Sequence, residues 1–195
     1  MPTPPKYLRR LAFTLTLLCL AFPAATPATT TKSTNSPAHQ LPRFCKTHPP
    51  TLRSITVKHR RATLHQRRMI LRILRAARHH HAPRVIHIAA IAATTQEASA
   101  RNLPYGHGSS VGLFQLIDLH GTIAWRLVPE NSAGWFIRGA LKIYRYNPRI
   151  DPASLAQAVE RSAYPTAYQQ WVTEARHTYW TVKAWRQCHP LPHHR

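Results

Sequence analysis

The sequence predicts a mainly α-helical protein, and three observations carry that prediction. The run from Val85 to Ala93 is almost wholly apolar, the composition of a helix buried on most of its sides. Apolar residues recur at helical spacing at Leu64, Ile70, Leu71 and Leu74, at Trp135, Phe136, Ala140, Leu141 and Tyr144, and again at Tyr168, Trp171, Val172, Ala175 and Tyr179. Asp151 followed by Pro152 joins a favoured helix cap to a favoured first-turn residue, with Leu155, Ala156, Ala158 and Val159 continuing that helix. A chain of 195 residues has room for one domain with a sizeable core.

Taken in order, the chain begins with Lys6, Arg9 and Arg10, then a mostly apolar stretch from Leu11 to Phe22, then Pro23, Ala24 and Ala25. That succession of basic, apolar and small residues predicts a secretory signal peptide over 1–25, because a mostly apolar stretch of twelve residues is too short to span a bilayer as a helix. Cys19 follows Leu17 and Leu18, not the small residue a lipid-anchor box needs, and falls in the removed core. Residues 26–50 are rich in Thr, Pro and Ser and read as a flexible leader. Export places the protein outside the cell or at its wall. The two remaining cysteines, Cys45 and Cys188, are then able to form one disulfide in an oxidising compartment, although spacing alone leaves two unconnected thiols open.

Charge is the strongest compositional signal. Lys and Arg number 27 against 6 Asp and Glu, a formal net charge of +21, so polyanions are the natural partners and a carboxylate-rich metal site is excluded. No acid precedes Glu97, and the segment 43–84 alone carries twelve Lys or Arg. The stretch Leu52 to Ala77 reads as a basic amphipathic helix, ended by His79, His80, His81 and Pro83. Consecutive residues of a helix do not face one point, so the His triplet reads as solvated basic surface; neither metal nor cofactor is expected.

The helix Val85 to Glu97 delivers a carboxyl at the end of an apolar element, where partial desolvation raises a carboxyl pKa and keeps a proton available. The bland alternative is a charge that merely caps exposed residues. A Gly- and Ser-punctuated loop follows, Asn102 to Gln115, and Val111 to Ile117 forms a strand or a tight buried turn. Its glycines lack the spacing of a phosphate cradle. The stretch between that loop and Trp135 reads as irregular, and residues 189–195 as a tail.

Three strings then carry a resemblance: Thr95-Gln96-Glu97-Ala98-Ser99, Ser110-Val111-Gly112-Leu113-Phe114-Gln115, and Ala156-Gln157-Ala158-Val159-Glu160-Arg161-Ser162-Ala163-Tyr164-Pro165-Thr166-Ala167-Tyr168. Together they resemble the lytic transglycosylase and goose-type lysozyme-like domains of secreted actinobacterial wall enzymes, whose signature for the third string reads Ala-Val-Gln-Arg-Ser-Ala-Tyr/Phe-Pro-x-Ala-Tyr. The resemblance implies a lysozyme-like domain over 51–188 that cuts the β-1,4 bond between N-acetylmuramic acid and N-acetylglucosamine in peptidoglycan. Glu97 would be general acid and then base as a 1,6-anhydromuramyl end closes. Ser110, Gly112, Leu113, Phe114 and Gln115 would form a wall of the glycan cleft, and Tyr164 would orient Glu97 or touch the muramyl group.

Two-carboxylate glycosidases need a second acid, for which Asp118 is the nearest in sequence, whereas intramolecular attack by the sugar's own hydroxyl needs none. The partners expected are peptidoglycan glycan strands and, through 43–84, anionic wall polymers, with no specific nucleic acid and a monomeric state. Three departures from the family pattern touch substrate register: Ala98 where Ser follows the glutamate, His107-Gly108-Ser109 in place of a more acidic loop, and the continuation Leu116 to His120. The competing readings are a hydrolytic lysozyme, a non-catalytic peptidoglycan-binding module, a basic nucleic-acid-binding protein, and a membrane-disrupting basic segment over 52–81.

Overall fold

A computed structural model describes residues 41–190. Among them are seven α-helices and a two-stranded hairpin, so the mainly α class holds. The expected signal peptide, the leader as far as residue 40, and most of the C-terminal tail lie outside the described residues.

The leader expected up to residue 50 ends sooner. Arg43–Thr47 forms a short helix, α1, and its Cys45 is disulfide-bonded to Cys188 at the end of the last helix, with Cα atoms 5.4 Å apart. The long basic helix expected from Leu52 is also corrected. Ile55 and Val57 are buried with strand periodicity, and β1 (Thr56–Val57) pairs antiparallel with β2 (Arg60–Arg61). Lys58 and His59 both take positive φ, 52° and 62°, the backbone that a two-residue hairpin turn requires. The helix α2 (Leu64–His79) starts only after Thr63, which forms a reciprocal capping box with Gln66.

The central element is α3 (Arg84–Ala98), whose Ile86, Ile88, Ala89, Ala90, Ile91, Ala92 and Ala93 are all buried. Four alanines keep its surface thin enough for α2, α5 (Pro129–Tyr146), α6 (Pro152–Glu160) and α7 (Val172–Cys188) to pack around it. Each buried Ile contributes about 1.5–3 kcal/mol, so α3 is stabilised by packing rather than by its β-branched propensity. α6 begins as its sequence dictates, Asp151 Oδ1 accepting from the backbone N–H of Ala153 at 2.9 Å and of Ser154 at 3.1 Å. The Ser154 side chain foremost, and these backbone hydrogen bonds with it, hold the Asp151 carboxyl below its usual range against the effect of burial.

The stretch before Trp135 contains a further short helix, α4 (Ile123–Arg126), capped by Thr122. It exists to place Arg126, whose guanidinium is buried and donates to Ser109 O at 2.6 Å and Leu116 O at 2.7 Å. Those two bonds clamp the ends of the tight turn between Val111 and Leu116, which pair as an isolated bridge.

Candidate functional site

The C-terminus of α3 sets the site. Ser99 and Ala100 follow it with φ of 51° and 52°, turning the chain sharply so that Gln96 and Glu97 stand at the edge of the core. Tyr168, fully buried, donates its hydroxyl to Glu97 Oε1 at 2.6 Å. Burial pushes the Glu97 carboxyl above the ordinary glutamate range; the Tyr168 hydrogen bond and the positive charge of Lys58 pull the other way and are overcome. Burial and the bond to Glu97 push the Tyr168 phenol far up, so it stays a donor.

Neighbouring residues hold this geometry. Trp171 Nε1 donates to Gln96 Oε1 at 2.7 Å, and Lys58 Nζ reaches the Gln96 carbonyl at 3.4 Å. Lys58 sits in the hairpin turn, and that turn is fastened by Glu174 of α7, which accepts from Thr56 Oγ1 at 3.0 Å and from the backbone N–H groups of Lys58 at 2.9 Å and His59 at 2.8 Å. Glu174 thus aims Lys58 at the end of α3.

The second carboxyl beside Glu97 is Glu160, at the end of α6. Burial pushes it well above the ordinary range and the negative charge of Glu97 pushes it further. Its Oε1 is buried and has no hydrogen-bond partner among the described residues. Glu160 also lines a cleft of about 760 Å3 together with Gln115, Ile117, His120, Trp135 and Arg138. Glu97 does not line that cleft; it is half-buried at the α3 terminus. Asp118, the carboxyl nearest to Glu97 in the downstream sequence, is exposed in a short 3-10 turn and its Oδ1 accepts from the N–H of Leu119 at 3.0 Å.

The turn 110–115 lies where the second string requires, attached to α3 through Thr94 Oγ1, which donates to Leu113 O at 2.9 Å. Leu113 and Phe114 are core residues, Phe114 stacking on Phe136 at 4.9 Å, although Phe114 also forms part of the cleft floor. Gly112 is required by the backbone: φ is 85° and a Cβ would stand 2.6 Å from Arg126 O. Ser110 closes a turn, its N–H donating to His107 O at 3.1 Å. Gln115, with φ of 46°, donates its amide to Gly112 O at 3.2 Å and to Tyr105 O at 3.4 Å, its Oε1 packs against Gly106, and the residue forms part of the cleft lining.

Tyr164 is not at the carboxyls' hydrogen bonds: it is 76% exposed, and the tyrosine on Glu97 is Tyr168. Sequence reasoning placed Tyr168 in a core stripe and passed over Glu160. The signal for Glu160 was its position, glutamate where the quoted signature has glutamine.

The fold and site define a helical bundle with a desolvated, tyrosine-held carboxyl at the end of its central helix. No family model and no curated protein matches the chain.

Proposed function

We propose that the protein cleaves the β-1,4 glycosidic bond between N-acetylmuramic acid and N-acetylglucosamine in peptidoglycan, as a lysozyme-like lytic transglycosylase acting outside the cell or at its wall. The observation that carries this reading is the Glu97 environment: a half-buried carboxyl, its pKa raised by burial, with one oxygen held by Tyr168. Burial favours the protonated form of this carboxyl, and the Tyr168 hydrogen bond fixes its orientation, the two things a general acid needs.

Glu97 protonates the glycosidic oxygen and the bond to the muramyl C1 breaks. The resulting carboxylate, stabilised by the Tyr168 hydroxyl and the Lys58 charge, takes the proton of the muramyl 6-hydroxyl as O6 bonds to C1. The products are a free 4-hydroxyl and a 1,6-anhydro ring, with no water consumed. Burial and the charge of Glu97 both disfavour ionisation of Glu160, which supports this route over two-carboxylate hydrolysis, where the second carboxyl must be ionised. The basic segment 43–84 holds the enzyme to anionic wall polymers by charge.

The test is mass spectrometry of soluble products from peptidoglycan sacculi incubated with the protein and with Glu97→Gln. Fragments lighter by one water than hydrolysed muropeptides, absent with the variant, are expected. Reducing ends would establish hydrolysis instead, and no products from folded wild-type protein on several wall types would leave a wall-binding module.

A further inference from the structure

At the opposite end of α3 from Glu97 the chain gathers positive charge around an apolar hollow. A cavity of about 400 Å3 opens between α2, α3 and α7. Leu74, Tyr179 and Val182 supply its apolar wall, and Arg78, Lys183 and Arg186 its charge. Tyr179, Val182, Lys183 and Arg186 are spaced i, i+3, i+4, i+7 on α7, a single helix face, and Leu74 and Arg78 are one turn apart on α2. Two helices thus present one mixed apolar and cationic lining to the same space.

No acid balances these cations. Of the six Asp and Glu in the sequence, Glu97 and Glu160 form the site above, Glu174 fastens the hairpin, Asp151 caps α6, Asp118 caps its own turn, and Glu130 meets Arg72 at 3.4 Å. The sequence outside the described residues contains no Asp or Glu. Burial, with the neighbouring charges of Arg186 and Arg75, lowers the Arg78 pKa to about 10, which records the same unbalanced charge. The dipoles of α2 and α7 each favour one cation in their own last turn, Arg78 and Arg186, but they account neither for Lys183 nor for the convergence of both helix ends on one apolar wall.

We propose that this cavity binds an amphiphilic oxyanion, an apolar body ending in a phosphate or carboxylate, with Arg78 and Arg186 on the head and Leu74, Tyr179 and Val182 around the body. Guanidinium groups match the planar, multidentate geometry of an oxyanion, and a half-buried setting strengthens that pairing. The binding is independent of the glycosidic reading, since no residue is shared with the Glu97 site.

The test is calorimetric titration of the full chain with decyl phosphate below its micelle concentration, beside inorganic phosphate and uncharged decyl maltoside. Decyl phosphate is expected to bind saturably and at least about tenfold more tightly than either control, and to lose about tenfold or more in Arg78→Gln and in Arg186→Gln. Having the two variants on different helices keeps the test informative if one does not fold. Sedimentation with phosphatidylcholine vesicles, with and without phosphatidic acid, separates the sources of the ligand. Monomer binding without vesicle capture assigns a free amphiphile, and capture that needs both arginines assigns a lipid headgroup. Decyl maltoside binding as tightly as decyl phosphate, affinity unchanged in both variants, or no binding to monomer or vesicle would each overturn the proposal. Heat denaturation gives an independent readout: decyl phosphate should raise the Tm of the wild type and leave that of the folded variant unmoved.

Discussion

Glu174 and the pair Glu97 and Glu160 are three copies of one side chain in two regions of one bundle, and they differ in the donors gathered around them. Glu174, at the start of α7, accepts three hydrogen bonds from the hairpin turn. Among the described residues Glu97 accepts one, from Tyr168, and Glu160 has an oxygen with none. A carboxylate surrounded by donors is a fastening. A carboxyl taken out of water without them holds its proton and has something to donate. The number of donors that tertiary packing brings to a glutamate, not its burial alone, separates a structural acid from a chemical one.

Substitution tests that contrast directly. Glu97→Gln should lower product formation by roughly two to four orders of magnitude, the usual worth of a general acid–base group, with little change in Tm; initial rates of muropeptide release measure it. Glu174→Gln should do the reverse. Losing charge-assisted bonds at a buried acceptor costs about 2–3 kcal/mol, read by denaturant melts, while Glu97 chemistry persists at reduced rate because the hairpin no longer aims Lys58. If Glu174→Gln abolished the proposed muropeptide release at full stability, the division drawn above would fail.

Tyr168→Phe takes away the one hydroxyl that donates to Glu97 among the described residues and leaves the aromatic packing. A rate loss of roughly tenfold follows from losing one hydrogen bond to a charged group. The same bond pulls the Glu97 pKa down, so the alkaline limb of the pH–rate profile should move to higher pH in the variant. An unshifted limb would show that Tyr168 serves packing alone.

The smallest effect is on the pH dependence of stability. Glu97 and Glu160 are both raised in the folded chain from an ordinary value of 4.5, so the folded protein binds more protons than the unfolded one above that pH. Their contribution is complete below the unfolded pKa and is lost as pH rises through the folded values. In melts, the wild type should therefore lose stability relative to Glu160→Gln as pH rises above the ordinary glutamate range; His80 and His87, whose pKa values burial lowers, act in the opposite direction in both proteins and cancel in that difference. A slope identical in the variant would mean that Glu160 is not buried as a neutral acid.

Much of the scaffold was legible in one dimension. The apolar run of α3, the Asp151-Pro152 cap and the stripes of α5 and α7 are local patterns, and local patterns report helices well. The hairpin was lost because basic residues fill the stretch from Lys58 to Arg68 and mask both the alternation of Ile55 and Val57 and the capping box at Thr63. α4 escaped because a four-residue helix has too short a period to detect; its purpose, a buried Arg126 clamping the loop, is a long-range matter.

The site divides in the same way. Glu97 could be singled out from sequence because it terminates an apolar helix, and Gly112 because it sits in a tight turn. Asp118 and Tyr164 were nominated by proximity along the chain and by a matched string, yet the structure places Glu160 beside Glu97 and Tyr168 upon it.

What the sequence determined by itself is the helical class, the basic surface with too few acids to neutralise it, and a carboxyl at the end of the most apolar helix. Each of these is a property of composition or of residues within a few turns of one another. Which glutamate is fastened, which are desolvated, and which cations share the cavity between α2 and α7 were decided only by the tertiary structure. Donor count, desolvation and charge convergence depend on residues far apart in the chain meeting at one point, 71 positions apart for Tyr168 and Glu97 and 116 for Lys58 and Glu174.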